Sequence, residues 1–182
     1  MKRYTLLLLI PLFLISCKSK TTEEDQTSGR VDVEAKLREL NIQLSPVAPS
    51  TASIVKTVRV GNMVYTSGHG PDKPGGGQIF GKVGGDLTVE QGQEAAKLTG
   101  IALLSSLKAE IGDLSKIKRV VKVFGLVNCT PAFTQQPQVM NAFSDMMVKI
   151  WGENGRHARS AVGTNALPNN IAVEIEMIVE LY

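Results

Sequence analysis

The chain has 182 residues, 43% of them apolar and 20% charged, a length and composition that suit one globular domain with appendages and exclude a disordered, collagen-like or polytopic membrane protein. Its formal charge is +3 from 20 basic and 17 acidic residues; without the first 16 residues, which hold Lys2 and Arg3, 18 against 17 leaves +1. Five Phe, three Tyr and one Trp supply few stacking platforms, and with so weak a basic field no nucleic-acid partner is expected.

Lys2 and Arg3 precede an apolar run from Leu6 to Ile15 that is interrupted only by Pro11. About ten apolar residues are too few for a helix across a membrane, which needs about 20, so residues 1–16 read as a secretory leader. The run ends Leu14-Ile15-Ser16-Cys17, which resembles a lipobox and predicts cleavage before Cys17 and acylation of its thiol; the alternative is an ordinary leader that happens to contain a cysteine. Two or three acyl chains anchor stably where one does not. The expected location is therefore the bacterial cell envelope, with the protein held to a membrane by lipid on Cys17. Residues 17–30 are polar and read as a flexible tether. With Cys17 acylated, Cys129 is the single remaining cysteine, and the domain must hold together by packing.

Residues 31–46 form a leading helix and linker: Val31, Val33, Leu37 and Leu40 stand near helical spacing before Pro46 stops them. The main domain spans 47–182. Ile54–Val60 and Met63–Ser67 are β-rich and joined by Gly61-Asn62, which predicts a hairpin. The segment from His69 to Gly77 is a loop, and Gln78–Val83 is expected to add a short strand. Thr88 and Gln91 have capping-box spacing for a helix to about Ile111, ended by Gly112. Lys118–Asn128 is apolar on both faces and reads as a central strand. Val139–Trp151 is a second main helix, with Val139, Phe143, Met146, Met147 and Ile150 as its buried side. Strands over Ser160–Ala166 and Ala172–Leu181 close the chain, the last alternating apolar residues with Glu174, Glu176 and Glu180. Two helices packed on one sheet describe an α+β fold with one face of the sheet uncovered. The doubly apolar central strand predicts that copies of the chain cover that face, most simply in a ring.

Few residues offer chemistry. His69 and His157 lie 88 positions apart with no further ligand at metal-binding spacing, so no metal is expected. Cys129 follows a buried strand and reads as a packing thiol. Gly75-Gly76-Gly77 and Gly84-Gly85 lack the residues of a phosphate loop and are turns. The strongest local signal is Arg156-His157-Ala158-Arg159-Ser160, where an arginine entering a strand can clamp a carboxylate through two parallel hydrogen bonds or make an ion pair on the surface. Glu174 shares its strand face with Glu176 and Glu180 and can orient a water or merely be solvated.

Val60-Gly61-Asn62-Met63-Val64-Tyr65-Thr66-Ser67-Gly68, the stretch around Arg159-Ser160-Ala161-Val162, and Ala166-Leu167-Pro168 followed by Val173-Glu174-Ile175-Glu176 together resemble the RidA/YjgF family, once labelled L-PSP endoribonucleases. The resemblance runs from about Val47 to Tyr182. It implies a chorismate-mutase-like fold, a homotrimer with ligand clefts between subunits, and hydrolysis of enamines and imines to 2-keto acids and ammonia without a cofactor. Arg159 matches the arginine that binds the substrate carboxylate, and Glu174 the glutamate associated with the attacking water. Gly68, His69 and Gly70 are expected to line the substrate wall. The family's helix asparagine falls at Met140 or, with a one-residue shift, at Asn141. Ile54 and Ala161 stand where deaminating members carry tyrosine and cysteine, so the competing reading is a trimeric protein that binds small carboxylates without turning them over.

Overall fold

The computed structural model describes residues 30–48 and 53–182; the expected leader and most of the tether, with Cys17, lie outside the described residues. Helix α1 (Val33–Glu39) is capped by Asp32, whose side chain accepts from the Ala35 amide at 2.9 Å. Strands β1 (Thr57–Val60) and β2 (Met63–Thr66) form the expected hairpin, with Gly61 at φ 61° in the two-residue turn. Positive φ costs glycine little, which is why the turn falls there.

Helix α2 (Val89–Ile111) starts with the full capping box: the Gln91 amide donates to the Thr88 hydroxyl, and the Thr88 amide to the Gln91 side chain. Gly112 ends it at φ 79°. Strand β3 (Ile117–Asn128), helix α3 (Gln136–Trp151), strand β4 (Ala158–Thr164) and strand β5 (Val173–Leu181) complete the chain. Pro137 belongs to the first turn of α3, where a missing amide hydrogen costs nothing.

The sheet order is β1-β2-β5-β3-β4, antiparallel except where β3 and β4 run parallel. Sequence and structure part at Gln78–Val83. Asp72–Gln78, Phe80–Ile171 and Val83–Cys129 are isolated bridges, and Gly81 at φ 114° turns the backbone out of extended geometry between them. The segment is an irregular strap, with the Gly81 and Val83 amides donating to the Asn170 and Asn128 carbonyls, not a strand.

Alternation on β5 separates the faces of the sheet. Val173, Ile175, Met177, Val179 and Leu181 are buried toward the helices. Leu103, Leu104 and Leu107 of α2 and Met140, Phe143 and Met147 of α3 complete that core, which α1 joins through Val33 and Leu37. Opposite, Glu174, Glu176, Ile178 and Glu180 share an open face with Lys122, Phe124 and Leu126 of β3. In a single protomer that face keeps Val58, Val60, Tyr65 and Val162 exposed at 51%, 62%, 43% and 39%.

Candidate functional site

Arg159 is paired with Val123 of β3, a fully buried residue, so its side chain leaves the sheet on the helix side. There it meets one face of α3. Pro137, Asn141 and Ser144 are spaced by four and three residues, the separation that stacks side chains along a helix. Nη1 of Arg159 donates to Ser144 Oγ at 2.9 Å, and Nη2 donates to Asn141 Oδ1 at 3.1 Å and, at 3.5 Å, toward the Pro137 carbonyl. Among the described residues Nε donates to none, so its hydrogen and one of the two on Nη1 are left for an anion. Asn141, not Met140, is the residue beside the arginine, since Met140 is fully buried in the core against Gly125.

Glu174 stands elsewhere. It is paired with Leu126 on the open face, three register steps from the line of Val123 and Arg159. Arg159 and Glu174 of one protomer therefore lie on opposite faces of the sheet. The Glu174 carboxylate lies over Gly68, so closely that a Cβ added to Gly68 would sit 2.1 Å from Oε1. Burial, and then the neighbouring charge of Glu176, raise its pKa above the ordinary carboxylate range. The expected wall from Gly68 to Gly70 is thus split by strand alternation. Gly68 touches Glu174, and Gly70 packs beneath Gln78 and Ile171.

The side chain of His69 turns the other way, into the helix layer. Its backbone bridges Ile175, while its Nδ1 lies 2.8 Å from the Ser67 carbonyl and its Nε2 2.7 Å from Ser106 Oγ on α2. A carbonyl only accepts, so Nδ1 carries the proton and Ser106 donates to Nε2. Burial lowers the His69 pKa; the Ser67 bond opposes this, Lys56 adds to it, and Asp72 opposes it. The imidazole borders a cleft of about 270 Å³ that Lys56, Asp72, Ser105 and Ser106 also line, away from both Arg159 and Glu174. Among the described residues no three His, Cys, Asp or Glu side chains group as metal ligands. Cys129 is buried, 3.7 Å from the Gln136 amide nitrogen.

Two site residues were given no role at the site from sequence. Ser144 and His157 both belong to the surroundings of Arg159: His157 Nε2 lies 3.0 Å from Ser144 Oγ and Nδ1 2.7 Å from the Gly155 carbonyl. The available signals were the helical spacing of Ser144 from Asn141 and the position of His157 two residues before Arg159, at the entry to β4.

The chain matches the family model described as "YjgF/chorismate_mutase-like, putative endoribonuclease" over residues 34–181. It is 42% identical over 155 residues to Protein TCP17 of Trypanosoma cruzi, covering 85% of this chain and 96% of that protein. Among solved structures it resembles Atu1372 of Agrobacterium tumefaciens, with 41% identity, a TM-score of 0.76 and coverage of 82% of this chain and 94% of that one. RidA from Psychrobacter sp. PAMC 21119 is 25% identical with a TM-score of 0.53, covering 77% and 98%.

Proposed function

The chain belongs to the YjgF/RidA family, and on that premise we propose that it hydrolyses enamine and imine derivatives of amino acids to 2-keto acids and ammonia. The observation that carries the reading is the guanidinium of Arg159, held by three acceptors of α3 with the Nε hydrogen and one Nη1 hydrogen still free for an anion. A guanidinium so fixed presents charged donors in a set direction, which suits a carboxylate.

Arg159 and Glu174 lie on opposite faces of one protomer, so a site that uses both takes them from two copies. The uncovered face, with Val58, Val60, Tyr65 and Val162 exposed, favours association, and a homotrimer closes a ring of identical interfaces around three such clefts. In each cleft Arg159 and Asn141 of one protomer orient the substrate, while Glu174 of the neighbour, over Gly68, holds the water. Water oxygen bonds to the imine carbon, the C–N bond breaks, and nitrogen leaves as ammonia after gaining protons. Because burial and Glu176 push its pKa up, Glu174 takes a proton from water more readily than an ordinary carboxylate. The carboxylate clamp supplies orientation, and the chemistry requires no cofactor.

The second reading, binding of small carboxylates without turnover, is favoured by Ile54 and Ala161. Neither side chain can supply the hydroxyl or thiol of the tyrosine and cysteine at those positions in deaminating relatives. The test is ammonia release from 2-iminobutanoate generated in place by a threonine dehydratase. Acceleration by the wild type and its loss in Arg159→Ala and Glu174→Ala support hydrolysis; three uncatalysed rates with 2-oxobutyrate still bound by the wild type leave binding alone.

For the N-terminus we propose that the mature chain begins at Cys17 and is anchored in the bacterial envelope by lipid on that thiol. Cys17→Ser should release the protein from the membrane fraction, and unchanged retention with unchanged mass contradicts the anchor.

A further inference from the structure

The run Gly155-Arg156-His157-Ala158-Arg159 reads as one device once α3 is placed beside it. A Cβ on Gly155 would sit 2.2 Å from the Met147 carbonyl oxygen, a backbone atom, so only glycine lets the chain pass this close to the end of α3. The Gly155 carbonyl is then 2.7 Å from His157 Nδ1. As a carbonyl only accepts, Nδ1 carries the proton and Nε2 is an acceptor. Ser144 Oγ, 3.0 Å from Nε2, spends its one hydrogen there, and its lone pairs are left to receive Arg159 Nη1 at 2.9 Å. The ring is fixed further by Phe143, edge-on at 6.1 Å between centroids and 77° between planes.

We propose that His157 is a positioning residue for the carboxylate site: through Ser144 it orders the guanidinium of Arg159 so that its remaining donors point at the ligand. The inference rests on the reading of Arg159 as the carboxylate clamp. It assigns directions to the whole chain of bonds, from Arg159 Nη1 to Ser144, from Ser144 to His157, and from His157 to the Gly155 carbonyl. A neutral imidazole is what this chain requires. Burial lowers the His157 pKa; the Gly155 bond opposes this, and the charge of Arg159 adds to the lowering.

The test is a double-mutant cycle read by calorimetric titration with 2-oxobutyrate. Ser144→Ala and His157→Asn should each weaken binding about five- to tenfold, and the double variant should be no weaker than the worse single one. Ser144→Thr, which keeps the hydroxyl, should bind within about twofold of the wild type. His157→Gln, whose amide oxygen reaches the Ser144 hydroxyl, should bind more tightly than His157→Asn. Additive losses, or wild-type affinity in a folded His157→Asn, overturn the proposal. If Arg159→Ala binds as well as the wild type, the carboxylate reading fails, and the chain of bonds is judged by nuclear magnetic resonance of labelled arginine and histidine. His157→Asn and Ser144→Ala should then move the same Arg159 Nε–H resonance. An unmoved resonance overturns the chain of bonds, and a shift without a carboxylate effect confines it to structure and also overturns the positioning role.

Discussion

Gly68→Ala separates the chemistry proposed for Glu174 from the stability of the fold. The added Cβ would lie 2.1 Å from Glu174 Oε1, against an ordinary contact of 3.4–4 Å, so the carboxylate must retreat by at least 1.3 Å, the difference between 3.4 and 2.1. The obstacle is the far end of a flexible side chain. Rotation relieves the clash at a cost of about 0.5–1.5 kcal/mol for an off-rotamer side chain. A displacement of about 1 Å in a catalytic group costs on the order of a hundredfold in rate. Gly68→Ala should therefore melt within about 5 °C of the wild type by calorimetry, while ammonia release from 2-iminobutanoate falls by roughly a hundredfold. Binding of 2-oxobutyrate, carried by Arg159, should change far less. Wild-type turnover in this variant would refute the placement of the water-holding carboxylate over Gly68.

Gly155→Ala should behave in the opposite way, because its Cβ meets the Met147 carbonyl of the α3 backbone and only movement of the chain relieves it; a loss of about 1–3 kcal/mol or more in urea unfolding is expected. The folded state holds the Glu174 proton more tightly than the unfolded chain, so this group's contribution to stability falls as pH rises above the ordinary carboxylate range. With allowance for its partial solvation, Glu174→Gln should raise the melting temperature at neutral pH by about 1 °C, an advantage that vanishes as the medium approaches about pH 4. The lowered pKa values of His69 and His157 have the other sign: their contribution is complete above the unfolded value of about 6.5 and is lost as pH falls through the folded values. His69→Gln should flatten the fall in melting temperature between about pH 7 and 5.

The elements that were legible in sequence are those whose signals are local. Thr88 and Gln91 fix the start of α2 by bonding to each other's backbone, and Gly112 fixes its end. The apolar residues of β3 are carried on both faces because one packs on α3 and the other belongs to the open side. Gln78–Val83 misled because Ile79 and Val83 look strand-like, while the hydrogen bonds that decide the conformation go to Asn128, Asn170 and Ala172, about 45 to 95 residues away, around a glycine of positive φ. At the candidate site, Arg159 stood out as a charge entering a strand. Of its surroundings only Asn141 was reached, through the family resemblance and with Met140 as the alternative; Ser144 acquires meaning only when α3 is laid beside β4, a tertiary contact. The opposite orientation of His69 and Glu174 likewise depends on the bridge of His69 to Ile175, which places their side chains on alternate faces.

The central claim is that one cleft takes Arg159 from one protomer and Glu174 from its neighbour, and subunit mixing tests it most directly. Arg159→Ala and Glu174→Gln, each assembled alone, should be inactive in ammonia release. Co-refolded in equal amounts, they should regain about a quarter of wild-type activity, the chance that a cleft draws both intact residues from random neighbours. Mixed assemblies as inactive as their parents, with both variants folded and exchanging subunits, would contradict the account.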